Sequence, residues 1–231
     1  MSNAIVLSNI SKAYRRHGRT FYALRNVSVA VDDGEVLGVV GNNGSGKTTM
    51  LTIILGSVFP TAGQRYVSSP IAAMPDLGLG FHDEFTGREN VYQNGKLMGL
   101  RHHEVTERLP AILEFSQCAD IIDAPFKHYS SGERVRLEFA ALTQQSAPIL
   151  LVDDALASGD PAFHQKCLDY IHTEAKSGRT VVIVSHLLER LSRMTDRVLW
   201  LHKGEVFDYG ESGKVIESYS RRSSAWRVST L

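Results

Sequence analysis

The sequence is short of cysteine, with two in 231 residues, and of proline, with seven, and it carries no net charge. Cys118 and Cys167 stand far apart without CxxC spacing, which excludes a disulfide framework and a thiolate metal knot; buried, reduced thiols are expected. Lys and Arg total 25 and so do Asp and Glu. A chain that coats nucleic acid needs a basic excess, so no nucleic-acid partner is expected. No apolar run approaches the ~18 residues of a membrane span. The longest, Ile149 to Val152 and Val181 to Val184, are strand-sized. Met1-Ser2-Asn3-Ala4 leads straight into a strand pattern, so no signal peptide is expected. Hydrophobic residues at 43% and charged residues at 22% exclude wholesale disorder. A chain of this length buries roughly 70% of its surface and needs no staple to fold. The expectation is a soluble, cytoplasmic α/β protein.

What is present is ordered along the chain. Ile5-Val6-Leu7 opens one strand, and Val27, Val29 and Val31 alternate with small or polar residues in a second. Glu35 to Val40 has no alternation, which suits a parallel strand buried on both faces. A glycine-rich loop follows, then an apolar helix from Thr48 to Leu55 closed by Gly56. Glu89 to Leu97, His103 to Phe115 and Arg134 to Gln144 read as helices. Buried-strand character returns at Ile149 to Val152 and Thr180 to Val184, with a helix from Pro161 to about Lys176 between them. Val198 to Leu201 and Glu205 to Phe207 make a hairpin around Lys203-Gly204. Arg221 to Thr230 is expected to be a frayed polar tail.

Gly41-Asn42-Asn43-Gly44-Ser45-Gly46-Lys47-Thr48 fits the phosphate-loop pattern G-x-x-x-x-G-K-[ST], followed by Thr49. Its glycines let the backbone N–H groups curl around phosphates at the positive end of a helix. Lys47 then reaches the β- and γ-phosphates, and the Thr48 hydroxyl ligates Mg²⁺. The run Leu150-Leu151-Val152-Asp153-Asp154 ends a buried strand in two acids, at the edge where open α/β sheets bind ligands. Asp153 is expected to hold the Mg²⁺ shell and Asp154 to polarise the attacking water. Tyr129-Ser130-Ser131-Gly132-Glu133-Arg134 opens a helix with Ser131 as the expected N-cap. The cap alone accounts for this stretch, but a helix N-terminus with a serine hydroxyl and Gly132 beside it also suits a second phosphate. Lys47 already serves one face of the γ-phosphate, so the second receptor most simply comes from another copy of the chain. His186 leaves a further buried strand at the same sheet edge as Asp153.

In this order the motifs resemble those of an ABC transporter ATPase subunit over about residues 5 to 210. The resemblance implies a P-loop RecA-like core with an N-terminal antiparallel β-subdomain and an inserted α-helical signature subdomain. The expected boundaries are a single domain over 1–222, with the core at about 1–75 and 146–222, the helical lobe at about 76–145, and a tail at 223–231. It further implies ATP and Mg²⁺ as cofactors, Tyr14 stacking on adenine, and His186 touching the γ-phosphate. Ser131, Gly132 and Glu133 would cap the ATP of the opposite subunit in a homodimer, and the Ala157-Ser158-Gly159-Asp160 loop would cross between the two subunits.

Gly80-Phe81-His82-Asp83-Glu84-Phe85-Thr86-Gly87-Arg88-Glu89-Asn90, with Tyr92 and Asn94-Gly95, resembles the polysaccharide-exporting branch; so does Ala155 to Phe163. That branch implies a motor at the cytoplasmic face of the membrane, under a separate permease that carries a lipid-linked glycan such as O-antigen or teichoic acid. A short permease helix would dock near Phe81, Phe85 and Leu97, and a chain ending at 231 is expected to lack the carbohydrate-binding domain some members append. The rival readings are another ABC exporter, for capsule or drug, and a DNA-repair ATPase. The repair type inserts a long coiled coil between phosphate loop and signature, whereas Lys47 and Ser131 stand only 84 positions apart. Two residues depart from the family. Asp154 stands where Glu is usual, and the glutamine expected at the start of the lobe is missing, with Asp76 the nearest polar residue and His82 further on.

Overall fold

The computed structural model describes residues 2–16, 18–74, 80–153, 161–185 and 187–228. Two sheets organise them. Strands β1 (Asn3–Arg16) and β2 (Arg19–Asp32) form a long antiparallel hairpin, and β4 (Ala62–Val67) pairs with the other side of β1. The larger sheet has the order β5-β6-β7-β3-β8-β9, with β3 (Val36–Val40), β5 (Ile71–Ala73), β6 (Ile149–Val152), β7 (Thr180–Val184), β8 (Arg197–His202) and β9 (Glu205–Glu211). Every pairing in it is parallel except β8 with β9.

Every residue of β3, β6 and β7 is buried, which is why these strands lack alternation in the sequence. Their successive side chains feed two cores. One face gives Leu37, Val39, Leu151, Val182 and Val184 to a core filled by helix α1 (Lys47–Leu55) and by Ile5, Leu7 and Leu24 of the smaller sheet. The other gives Val40, Leu150, Val152 and Ile183 to helices α5 (Pro161–Lys176), α6 (Leu188–Met194) and α7 (Ser212–Val228).

Between β5 and β6 lie helices α2 (Gly87–Leu97), α3 (His102–Ser116) and α4 (Ser131–Thr143), which share a separate apolar cluster around Phe126 and Leu137. Helix α4 belongs to both bodies. Val135, Phe139 and Leu142, at helical spacing, face the main core, while Leu137 and Ala140 face the lobe. The hairpin turn at Lys203-Gly204 has positive φ at both residues, the geometry a two-residue turn needs. The polar end differs from expectation: α7 continues through Arg221 to Val228, with an exposed Arg221–Glu217 ion pair one turn apart.

Candidate nucleotide site

Because β3, β6 and β7 run parallel and in register, their carboxyl ends deliver Gly41, Asp153 and Ser185 to one edge. The loop 41–46 then turns into α1. Gly41, Gly44 and Gly46 all have positive φ, at 153°, 75° and 105°. A Cβ at Gly46 would lie 2.5 Å from the Ala23 carbonyl, and one at Gly41 would strike the Leu201 carbonyl. Both positions therefore need glycine for closeness as well as for conformation.

Lys47 is buried, and its ammonium donates to the carbonyls of Gly41 (2.7 Å) and Asn42 (3.1 Å). The Thr48 hydroxyl donates to Asp153 Oδ2 at 2.8 Å, so the two residues assigned to Mg²⁺ already meet across 105 positions of chain. A hydroxyl beside a carboxylate is a hard-oxygen set of the kind Mg²⁺ uses together with phosphate oxygens. These residues fit that ion.

A cavity of about 390 Å³ is lined by Gly44, Lys47, Thr48, Thr49 and Asp153 together with Tyr14 and Phe21. Tyr14 and Phe21 are cross-strand partners on β1 and β2, 42% and 58% exposed. The Lys12 ammonium lies 5.0 Å from the Tyr14 ring centroid while donating to the Phe59 carbonyl, which holds that ring from the side of its own strand. Phe21 is a cavity residue that no sequence motif marks; its register opposite Tyr14 is the signal that finds it. Asn42 and Asn43 are exposed, and Ser45 is buried under the loop.

The second receptor needs a correction. The N-cap of α4 is Ser130, and Ser131 is the first helical residue. Glu133 is committed to this cap: its carboxylate accepts from the Ser130 N–H and hydroxyl, each at 2.7 Å, and its own N–H donates to Ser130 Oγ at 3.3 Å. These bonds, the Ser130 hydroxyl first, hold its carboxyl below the usual carboxylate range. The side chain at the mouth of the helix is thus that of Ser130. None of Ser131, Gly132 and Glu133 lines the cavity that holds Lys47. Asp154, His186, Asp76 and the Ala157-to-Asp160 loop lie outside the described residues.

Both cysteines are buried and unpaired, and burial pushes their thiols up. Among the described residues no helix is long and apolar enough to cross a membrane. A second cavity, about 670 Å³, opens between α2 and α3 beside Tyr92, Lys96, Leu100, His102 and Val105. His102 is exposed at the start of α3, and its ring stacks on Tyr92 at 4.5 Å. Leu97 is 63% exposed, while Phe81 and Phe85 are half-buried, Phe81 packing edge-on against Phe126 at 5.2 Å and Phe85 lying 5.1 Å from the His82 ring.

Residues 24–157 match the family described as ABC transporter. Over 204 residues the chain is 40% identical to the O-antigen export system ATP-binding protein RfbB of Klebsiella pneumoniae, covering 88% of this chain and 83% of that one. It is 36% identical over 237 residues to the teichoic acids export ATP-binding protein TagH of Shouchella clausii, a longer protein of which it spans 66%. An ATP-binding cassette solved as a dimer in a post-hydrolysis state with ADP and Pi superposes with a TM-score of 0.79, over 90% of this chain and 98% of that one. At 23% identity that likeness shows the fold.

Proposed function

The chain belongs to the ABC transporter family, and from that premise we propose that it is the motor subunit of an exporter that moves a lipid-linked polysaccharide across the cytoplasmic membrane. The subunit binds and hydrolyses ATP. The observation that carries the chemistry is the Thr48–Asp153 contact at the edge where the phosphate loop opens. The cargo class rests on the identity to O-antigen and teichoic acid export subunits over most of the chain.

In this reading the adenine lies on Tyr14, with Phe21 beside it, and the triphosphate runs along Gly41 to Thr49. Lys47 exchanges the Gly41 and Asn42 carbonyls for the β- and γ-phosphates. Thr48 and Asp153 hold Mg²⁺, which when bound neutralises charge on the phosphates. Asp154, next to Asp153, orients the water, and His186, next to Ser185, contacts the γ-phosphate. The N-terminus of α4, with Ser130, Ser131 and Gly132, serves the ATP of a second copy, consistent with its place outside the Lys47 cavity. Glu133 supports that surface through the cap. Two copies would sit at the inner face of the membrane beneath separate permease subunits, with the α2–α3 cavity and Leu97 as docking surface.

Two measurements test this. Lys47→Ala is expected to lower Mg²⁺-dependent ATP turnover by about a hundredfold or more, the scale of a lost transition-state charge contact. Near-normal turnover would sink the site assignment. Cells lacking the subunit should accumulate lipid-linked glycan inside while losing it from their surface; an unchanged surface polysaccharide would sink the export reading.

A further inference from the structure

The segment Phe81 to Asn90 does not line the nucleotide cavity, yet side chains and backbone tie it closely to α2 and α4. Asn90 is buried, accepts from the His82 N–H at 2.6 Å, and donates to the carbonyls of His82 and Thr86 at 3.0 Å each. This folds 82–86 into a tight strap in front of α2. The strap is bonded to the stretch that leads into α4: the Phe126 N–H donates to the Phe85 carbonyl (2.8 Å), and the Lys127 N–H to the Asp83 carbonyl (3.0 Å). Lys127 also pairs with Glu84 at 2.8 Å. The final tie reaches α4 itself. Asp83 Oδ1 accepts from Arg134 Nη1 at 2.7 Å, and the same guanidinium lies 4.6 Å from the centroid of the Phe126 ring. The Arg134 N–H closes the first helical bond onto the Ser130 carbonyl, at 3.0 Å.

Arg134 is thus fixed on two sides, by a carboxylate and by an aromatic face, one turn from the Ser130-to-Gly132 surface. An ion pair 30% and 60% exposed adds little to global stability. Its effect is directional, because a planar guanidinium held by both partners cannot rotate with the helix end. We propose that Asp83 is a positioning residue for the ATP-dependent pairing of two copies. Through Arg134 it sets the direction in which the α4 N-terminus meets the nucleotide of the second copy. This rests on the reading of α4 as receptor for that nucleotide.

The test uses the full chain with Mg²⁺ and a non-hydrolysable ATP analogue. Pairing is followed by sedimentation and binding to single copies by a fluorescent nucleotide at low protein concentration. Asp83→Asn is expected to weaken nucleotide-dependent pairing about tenfold, the range of coupling between directly contacting groups, and to leave single-copy nucleotide affinity and melting temperature as in the unaltered chain. Asp83→Glu, which keeps a carboxylate for Arg134 and leaves its contact with Phe126, should recover most of the pairing. Equal pairing by Asp83→Asn and the unaltered chain overturns the proposal. So does a loss of pairing equally deep in Asp83→Glu, or one matched by a lower melting temperature. If the unaltered chain never pairs with any nucleotide, the receptor reading of α4 has failed, a result separate from any effect of Asp83.

Discussion

The main core and the helical lobe are held together by different physics. In the core, β3, β6 and β7 are buried along their whole length and feed apolar side chains to both faces of the sheet. The lobe has a smaller apolar cluster, and its pieces are oriented by side chains that bond backbone: Asn90 on the strap, Glu89 on Thr86, Glu104 on Arg101, Glu133 on Ser130. Packing fixes distance and tolerates little change of volume, whereas hydrogen bonds and ion pairs fix direction. A motor needs a rigid platform for its phosphate site and a second surface whose facing can be set separately. The two regions divide those tasks.

The difference breaks most visibly under large-to-small substitution. Leu150→Ala, at a fully buried core position, should cost about 2–5 kcal/mol and lower the melting temperature of the whole chain. Asn90→Ala leaves the His82 N–H without its buried partner and should cost about 1–3 kcal/mol. Hydrogen exchange should show that loss concentrated in α2 and the strap, with β3 and β7 unaffected. Equal deprotection of both regions would mean that they unfold as one unit. A smaller effect separates the lobe's outer surface from both cores. Leu97→Glu, at an exposed site, should leave turnover and melting temperature unchanged while releasing the permease on co-purification. An intact complex would move the docking surface elsewhere.

The smallest effect sharpens the account of caps. Glu133 has its carboxyl held low in the folded chain, so its contribution is full above the ordinary value of 4.5 and is lost as pH falls through the lowered one. Glu133→Gln should keep the fold and flatten the acid limb of the stability curve slightly. An unchanged acid limb would show that the cap adds no stability.

The core was legible because burial on both faces leaves continuous apolar runs, and the phosphate loop because its chemistry restricts residue types at fixed spacing. Ser130 was readable too: the S-x-x-E spacing of a capping box runs from Ser130 to Glu133, and Ser131 stands one position too late. Strand β4 left no signal, since Ala62 to Tyr66 are all exposed and its place is set by backbone pairing with β1. Nor did the helical run from Arg221 to Val228, whose composition is that of a solvated tail. The strap's ties join Asp83 to Arg134 across 51 positions, a distance at which no local pattern operates.

The contacts behind the phosphate loop also bear on when the site comes into being. The Gly204 N–H donates to the Ser45 carbonyl at 3.1 Å, and the Arg25 N–H to the Gly204 carbonyl at 2.7 Å. The loop is therefore clamped between a strand near the start of the chain and a turn near residue 204. Contacts so distant in sequence form late. On the ribosome, the glycine loop emerges early but lacks its backing until the β8–β9 hairpin has followed it out. The growing chain therefore completes the backing of its nucleotide site only once the β8–β9 hairpin has joined the loop.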